Sequence, residues 1–243
     1  MRARLDIELV ARGLTTSREQ AKRLILAGAV RVNGQLAGKA SDTVLADADV
    51  QITAAEKFVS RGGHKLEAAL AALKIDPTGK LCVDIGASTG GFTDCLLQHG
   101  ARHIHAVDVG KGQLAWKLRQ DSRVTVHDEV NARNLLPAQI GEPADLVTID
   151  ASFISLTKIL PAAVNLLQAG GQLLALIKPQ FEAGRTDVGK GGVVRDAGVH
   201  ERVQAEVIGF ATGTLGLHLI GRCESPLLGP AGNKEFLVGF TKP

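Results

Sequence analysis

A chain of 243 residues has room for one large domain, or for one of ordinary size with a small companion, and is too short for a long array. With 45% apolar and 22% charged residues it buries a core, which excludes extensive disorder. Its 28 lysines and arginines stand against 25 acids, an excess of three that is too mild to name a polyanionic partner, so the distribution of charge has to decide. The three cysteines, Cys82, Cys95 and Cys223, are odd in number and lack C-x-x-C spacing. That excludes a disulfide framework and a structural zinc site and suits a reducing cytoplasm, with no metal expected. The N-terminus has no apolar signal region, and apolar runs such as 173–177 fall far short of the roughly 20 residues that cross a bilayer, so a soluble protein without membrane partners is expected. Seven Phe, one Trp and no Tyr argue against a sheet that stacks bases on exposed rings.

Residues 1–40 carry eight cations (Arg2, Arg4, Arg12, Arg18, Lys22, Arg23, Arg31 and Lys39) against Asp6, Glu8 and Glu19, a local excess above that of the whole chain. Thr16 and Glu19 have capping-box spacing, Leu24 and Ile25 supply an apolar face and Gly28 comes next as a stop, which predicts a helix over 17–27 with Arg18 and Lys22 on one face. Val30-Arg31-Val32 before Asn33-Gly34 predicts a hairpin, and a further strand is expected at 50–52. The Arg-Leu-Asp start, Ser17-Arg18-Glu19-Gln20-Ala21 and Gly28-Ala29-Val30-Arg31-Val32-Asn33-Gly34 resemble the S4 RNA-binding domain over nearly all of residues 1–55. The resemblance implies that Arg2, Arg4, Arg12, Arg18, Lys22, Arg23 and Arg31 grip RNA phosphates, with salt-sensitive affinity and little base readout.

A polar connector at 54–59 ends the first domain (1–59), and Ser60-Arg61-Gly62-Gly63-His64-Lys65 opens the second (60–243). Helical spacing of Leu66, Leu70 and Leu73 gives way to apolar runs at 81–85, 103–107, 124–127, 145–149 and 172–177, alternating with amphipathic stretches. Such alternation predicts an α/β fold, a Rossmann-like parallel sheet with helices on both faces, beside a small α+β N-terminal module. Two more strands are expected near 216–224 and 235–241.

Leu81–Ile85 runs into Gly86-Ala87-Ser88-Thr89-Gly90-Gly91 and then a helix, a glycine turn at the carboxyl edge of the sheet that admits a ligand close to the backbone. Neither G-x-G-x-x-G nor G-x-x-x-x-G-K-[ST] is present, so a dinucleotide and a nucleoside triphosphate are disfavoured. Asp84, Asp108 and Asp128 are read as acids at the ends of three successive strands framing one pocket, Asp108 being placed to accept both ribose hydroxyls. The combination resembles class I methyltransferases that use S-adenosylmethionine. By that pattern Gly86 to Gly90 would contact the methionine part, Asp108 the ribose and Asp128 the adenine edge.

Residues just after the fourth strand narrow the choice of acceptor. Exocyclic-amine methylation goes with [DNS]-P-P-[YFW], whereas Asp150-Ala151-Ser152-Phe153 stands here, and carbon-5 methylation of pyrimidines needs a cysteine nucleophile that this region lacks. An alcohol remains, whose methylation calls for a base and cationic help, and lysines are suited to both. Lys65, Asp150, Lys178 and Glu235 make a Lys-Asp-Lys-Glu set. With Ser60-Arg61-Gly62-Gly63-His64-Lys65-Leu66, the glycine turn, Lys178-Pro179-Gln180-Phe181-Glu182 and Ser225-Pro226-Leu227-Leu228-Gly229-Pro230-Ala231-Gly232-Asn233-Lys234-Glu235, this set resembles the FtsJ-like ribose 2′-O-methyltransferases, and the whole chain resembles the TlyA family. The resemblance implies that those four residues are catalytic and that the substrate is a cytidine ribose in ribosomal RNA or a ribosomal subunit. Because the chain stops soon after its last expected strand, as in shorter members, large-subunit RNA is favoured. A noncatalytic ribosome-assembly factor is the rival reading, and the haemolysin description of some relatives would need a spanning element that is not apparent. His103-x-His105 reads as structural, and 184–195 as either a mobile loop closing over the site or a plain solvated one.

Overall fold

The computed structural model of the protein describes residues 2–26, 28–53, 57–184, 186–229 and 231–243. The chain forms two units, Met1–Lys57 and Phe58–Pro243. Phe58 is buried among the core residues of the second unit and the Val59 N–H donates to Asp94, so the end of the expected connector belongs to that unit; Ala54, Ala55 and Glu56 lie outside the described residues.

In the first unit β1 (Arg2–Arg4) leads into α1 (Leu5–Ala11) and α2 (Arg18–Leu26). Four short strands come next, β2 (Val30–Val32), β3 (Gln35–Leu36), β4 (Thr43–Leu45) and β5 (Val50–Ile52). Strand β2 pairs antiparallel with β3 and β5, and β1 pairs antiparallel with β4. Asn33 and Gly34 both take positive φ, as a two-residue hairpin turn that matches strand twist requires. Helix α2 starts one residue later than predicted and is capped differently: the Ser17 hydroxyl accepts from the Gln20 N–H, while Glu19 pairs with Lys22. Leu5, Leu9, Ala21, Ile25, Val30, Val44 and Val50 close a small core.

The second unit begins with α3 (Gly62–Leu73) and β6 (Leu81–Ile85), then α4 (Gly91–Gln98), β7 (His103–Val107), α5 (Trp116–Arg119), β8 (Val124–His127) and α6 (Pro137–Ile140). It continues through β9 (Ala144–Ile149), α7 (Leu160–Leu166), β10 (Leu167–Ile177), α8 (Pro179–Glu182), α9 (Ala197–Gly209), β11 (His218–Glu224) and β12 (Phe236–Thr241). Seven strands form one sheet in the order β11-β12-β10-β9-β6-β7-β8, in which β6 to β10 run parallel and β12 lies antiparallel to both β10 and β11.

Strict alternation explains why both faces are covered. Val83, Ile85, Val147, Ile149, Leu173, Ala175, Ile177, Phe236 and Val238 pack toward α7 and α9, whereas Cys82, Leu146, Leu174, Leu176 and Leu237 pack toward α3 and α4. The apolar runs seen in the sequence are therefore two interleaved faces. Cys82 and Cys95 belong to the second face, where burial pushes the Cys82 thiol up to about 12 and leaves it inert.

Candidate active site at the carboxyl edge of the sheet

A cleft of about 470 Å³ opens beyond the ends of β6, β7 and β9. Ile85, Val107, Val130, Ala132, Ile154 and Ile159 give it apolar walls, and Ser88, Asp108, Gln113, Asn131 and Asp150 bring polar groups. The volume lies within the range of small-molecule sites. Among the described residues no lysine or arginine lines it, and its two acids face whatever occupies it.

The glycine turn forms the floor. Gly86 takes φ +82°, and a Cβ there would meet the Asp150 carbonyl oxygen at 2.5 Å, so only glycine lets β6 turn against the end of β9. Gly86 and Ser88 line the cleft, Ala87 is buried, and the Thr89 carbonyl accepts from the Ala115 N–H. Gly90 caps α4 and Gly91 begins it; a Cβ on Gly91 would come within 2.9 Å of the Gly63 nitrogen, so this glycine allows α4 to approach the start of α3. The turn thus divides between residues that touch the cleft and residues that hold its shape.

The three acids separate as well. Asp108 lines the cleft, and its carboxylate accepts from the Ser88 N–H at 2.8 Å and the Gly110 N–H at 2.7 Å. Asp84 is not at a strand end: it lies within β6, fully buried, accepting from the Thr93 hydroxyl at 2.7 Å and the Thr148 hydroxyl at 3.0 Å. Loss of solvent raises its pKa to about 7 in spite of those donors. Asp128 is drawn aside by Arg119, at 2.6 Å, and by the Gly112 N–H, and this pairing holds its carboxyl below the usual range. The wall beyond β8 is made instead by Val130, Asn131 and Ala132, which sequence reasoning missed; their only signal was a position just after a parallel strand.

The meeting of Lys65, Asp150, Lys178 and Glu235 is a consequence of the alternation of the sheet. Asp150, Lys178 and Glu235 lie one residue beyond the adjacent strands β9, β10 and β12, with the parity of the face that α3 covers, and α3 carries Lys65. Lys178 Nζ sits 2.5 Å from Asp150 Oδ1 and donates to the Ser152 hydroxyl at 2.9 Å. Lys65, 7% exposed, donates to Glu235, which is 1% exposed and whose Oε1 has no hydrogen-bond partner among the described residues. A Cβ on Gly229 would meet that oxygen at 2.5 Å, so Gly229 closes over it. The set thus stands as two ion pairs, Lys65–Glu235 buried and Lys178–Asp150 partly exposed, and Asp150 belongs both to a pair and to the cleft wall.

Glu182 anchors the segment that follows the cleft-lining Phe153 and Ile154. It accepts from the Leu156 N–H at 2.8 Å and the Ser155 hydroxyl at 2.7 Å, and burial pushes its carboxyl upward. At the mouth Phe153 is 90% exposed with φ +65°, a conformation rare for a bulky residue, and its ring centre lies 5.1 Å from that of Phe181. The 184–195 loop is tethered: Asn233 accepts from the Val194 N–H and donates to the Gly192 carbonyl, each at 2.9 Å, two residues before Glu235. Arg185 of that loop and Pro230 of the last family stretch lie outside the described residues. His105 Nδ1 meets His127 Nε2 at 2.9 Å between β7 and β8, and burial lowers the His105 pKa to about 4.

The cations of the first unit are not equivalent. Arg12 donates to Glu8 and to the carbonyls of Leu45, Ala46 and Ala48, which ties α1 to the β4–β5 turn. Arg4 and Arg18 both pair with the buried Asp6, Lys22 pairs with Glu19, and Arg31 donates to the Gly34 carbonyl. Arg2 and Arg23 are exposed.

The FtsJ-like methyltransferase family matches residues 58–242, and the S4 domain matches residues 3–50. The 16S/23S rRNA (cytidine-2′-O)-methyltransferase TlyA of Mycobacterium tuberculosis is 50% identical over 240 residues, spanning 98% of this chain and 89% of that protein. The putative rRNA methyltransferase YqxC of Bacillus subtilis is 48% identical over 245 residues, 99% of this chain and 86% of that one. A putative hemolysin of Streptococcus thermophilus has a solved structure that superposes with a TM-score of 0.76 at 43% identity, covering 99% of this chain and 88% of that one. The chain therefore belongs to the TlyA family, in which an S4 domain precedes an FtsJ-like methyltransferase domain.

Proposed function

We propose that the protein transfers a methyl group from S-adenosylmethionine to the 2′-hydroxyl of a cytidine in ribosomal RNA, with large-subunit RNA as the main target and the cytoplasm as the place of reaction. The observation that carries this reading is the joining of Lys178 to Asp150 at the rim of the cleft, where a base stands next to the wall of a small-molecule site. Half-identity to a relative named for cytidine-2′-O-methylation of 16S and 23S RNA supports the substrate class.

The cleft suits the cofactor. Its volume, its apolar walls and its two acids match a molecule with a flat base, a ribose diol and a positive sulfonium. Gly86, Ser88, Asp108, Asn131 and Asp150 would hold it, Asp108 at the ribose. When bound, S-adenosylmethionine supplies an electrophilic methyl group.

The chain's own residues supply the rest. A ribose hydroxyl is protonated near neutral pH and a poor nucleophile, so a base must take its proton as the oxygen attacks. Lys178 is the group placed to accept that proton, while Asp150 and Ser152 fix the position of Nζ. Lys65, held by Glu235, offers a cation to the developing negative charge. Phe153 presents an exposed ring at the mouth on which the target base can stack.

The test is incubation of the protein with isotope-labelled cofactor and separated ribosomal subunits, and then mapping of alkali-resistant linkages. Label at a cytidine 2′-oxygen is the expected result; label on a base, or tight cofactor binding with no transfer to either subunit, overturns the proposal in favour of another methylation or of a noncatalytic assembly factor. Pore formation has no support in the helices: among the described residues none is long and apolar enough to cross a membrane.

A further inference from the structure

We infer that Asp6 is a positioning residue that locks Arg4 and Arg18 into a single clamp for one RNA phosphate; this rests on the RNA-binding reading of the first unit. Asp6 lies in the first turn of α1 with its side chain 0% exposed. Arg4, from β1, reaches it with two nitrogens, Nε to Oδ1 at 3.0 Å and Nη2 to Oδ2 at 3.2 Å. Arg18, at the start of α2, reaches Oδ2 with Nη2 at 2.8 Å and Nε at 3.3 Å. One carboxylate therefore joins three elements, and the two guanidiniums hold it ionised, well below the usual carboxylate range.

The arrangement exceeds what burial of one acid requires. A single bidentate arginine neutralises a carboxylate and satisfies its oxygens in a plane. Here a second arginine is recruited, and both remain open to solvent, at 44% and 53% exposure. Each uses Nε and Nη2 on Asp6, so the Nη1 amino group of each points no hydrogen bond at any described residue. The two Nη2 atoms are at most about 6 Å apart, because one oxygen lies 3.2 Å from the first and 2.8 Å from the second. Two planar forks held this close, with outward donors and their rotamers already fixed, form a site for a phosphate, which accepts from both at once. Fixing them in advance removes the ordering cost that two free side chains would incur on binding.

This reading makes a prediction opposite in sign to simple electrostatics. Replacing Asp6 by Asn adds one net positive charge to a basic face, which by charge alone strengthens binding to any polyanion. If Asp6 positions the forks, RNA binding weakens instead.

The experiment uses the full chain, a fluorescently labelled RNA stem-loop, heparin as a polyanion without phosphates, and a series of salt concentrations. The Arg4→Ala/Arg18→Ala double variant should weaken RNA binding and flatten its salt slope; an unchanged slope defeats the RNA-binding reading of these cations itself. Asp6→Asn should bind RNA about tenfold or more weakly, as expected for loss of a charged hydrogen bond, with heparin affinity equal or higher. Equal or tighter RNA binding by Asp6→Asn, where the double variant is weakened, overturns the role given to Asp6. Should thermal melting show that Asp6→Asn loosens the first unit, Arg18→Lys decides. It leaves Arg4 on Asp6 and keeps every charge, so the clamp requires the salt slope to persist while RNA affinity falls. Parental affinity for Arg18→Lys overturns the clamp.

Discussion

Arginine at position 178 separates proton transfer from charge. Lys178 is largely enclosed, 2.5 Å from Asp150 Oδ1 and 2.9 Å from the Ser152 hydroxyl, so Lys178→Arg keeps a cation for Asp150, whereas Lys178→Met removes it at similar length. An arginine does not lose its proton in a protein and cannot serve as a base. If Lys178 takes the hydroxyl proton, both variants lose the contribution of a positioned base, roughly 100- to 10,000-fold in rate or about 3–5 kcal/mol in the barrier. Single-turnover transfer of labelled methyl to ribosomal RNA measures that loss, and equilibrium binding of S-adenosylmethionine provides the control. Lys178 is not among the residues lining the cleft, so cofactor affinity should stay within a few fold for Lys178→Arg. Lys178→Met should loosen it more, through the unpaired Asp150 in the cleft wall. Retention of a tenth or more of parental transfer by Lys178→Arg refutes proton transfer to Lys178 and leaves the residue as an electrostatic partner of Asp150.

Glu235→Gln removes the counter-charge of a buried lysine and should cost on the order of 3–5 kcal/mol in denaturant unfolding, with part regained in the Lys65→Met/Glu235→Gln double variant; a loss below about 1 kcal/mol would mean that the pair is not buried as described. Asp84 takes up a proton on folding wherever the pH lies between the ordinary carboxylate value of 3.8 and its own value of about 7, so its contribution to stability is full below 3.8 and is lost as pH rises through 7. Asp84→Asn should therefore stabilise the fold at pH 8, by on the order of 3 kcal/mol, and flatten the slope of stability between pH 4 and 7; an unchanged slope refutes the shift. Arg12→Ala should lower the stability of the first unit by about 2 kcal/mol, read from its melting, while the salt slope of RNA binding stays that of the parent, since the Arg12 guanidinium is spent on Glu8 and three carbonyls.

Much of the methyltransferase sheet could be read from the chain because a strand buried on both faces leaves an apolar run that helices flank, and the expected strands at 81–85, 103–107 and 124–127 match β6, β7 and β8. The set Lys65, Asp150, Lys178 and Glu235 was legible through its company, since charge directly after a run such as Leu173–Ile177 lies at a sheet edge. Features decided by distant partners were hidden. Asp84 and Asp108 look alike in sequence, each an acid near the end of an apolar run. Only the positions of Thr93 and Thr148 make the first a buried carboxyl, while the second opens on the cleft. Asp128 is held by Arg119 and does not line the cleft, a pairing that nothing in the local sequence announces. In the first unit, strands of two or three residues leave no periodicity, and β1 finds its partner some forty residues away, so neither that pairing nor the burial of Asp6 could be inferred from a basic segment.

The direction of β12 is what completes the Lys-Asp-Lys-Glu set. Parallel strands deliver their last residues to one edge, which accounts for Asp150 after β9 and Lys178 after β10. Glu235 precedes its strand, so it reaches that edge only because β12 runs antiparallel, with Phe236 opposite Ile177. A parallel β12 of the same six residues would carry Glu235 to the far edge, roughly 20 Å away at about 3.3 Å per residue, and leave Lys65 buried without a counter-charge. One reversed strand therefore does two things at once. It closes the sheet against β11, and it lets a residue from the end of the chain neutralise a lysine from the first helix of the domain. The register that sets Phe236 opposite Ile177 brings Glu235 and Lys178, the next residues out on adjacent strands, to the same sheet edge, which is why one edge can hold both ion pairs.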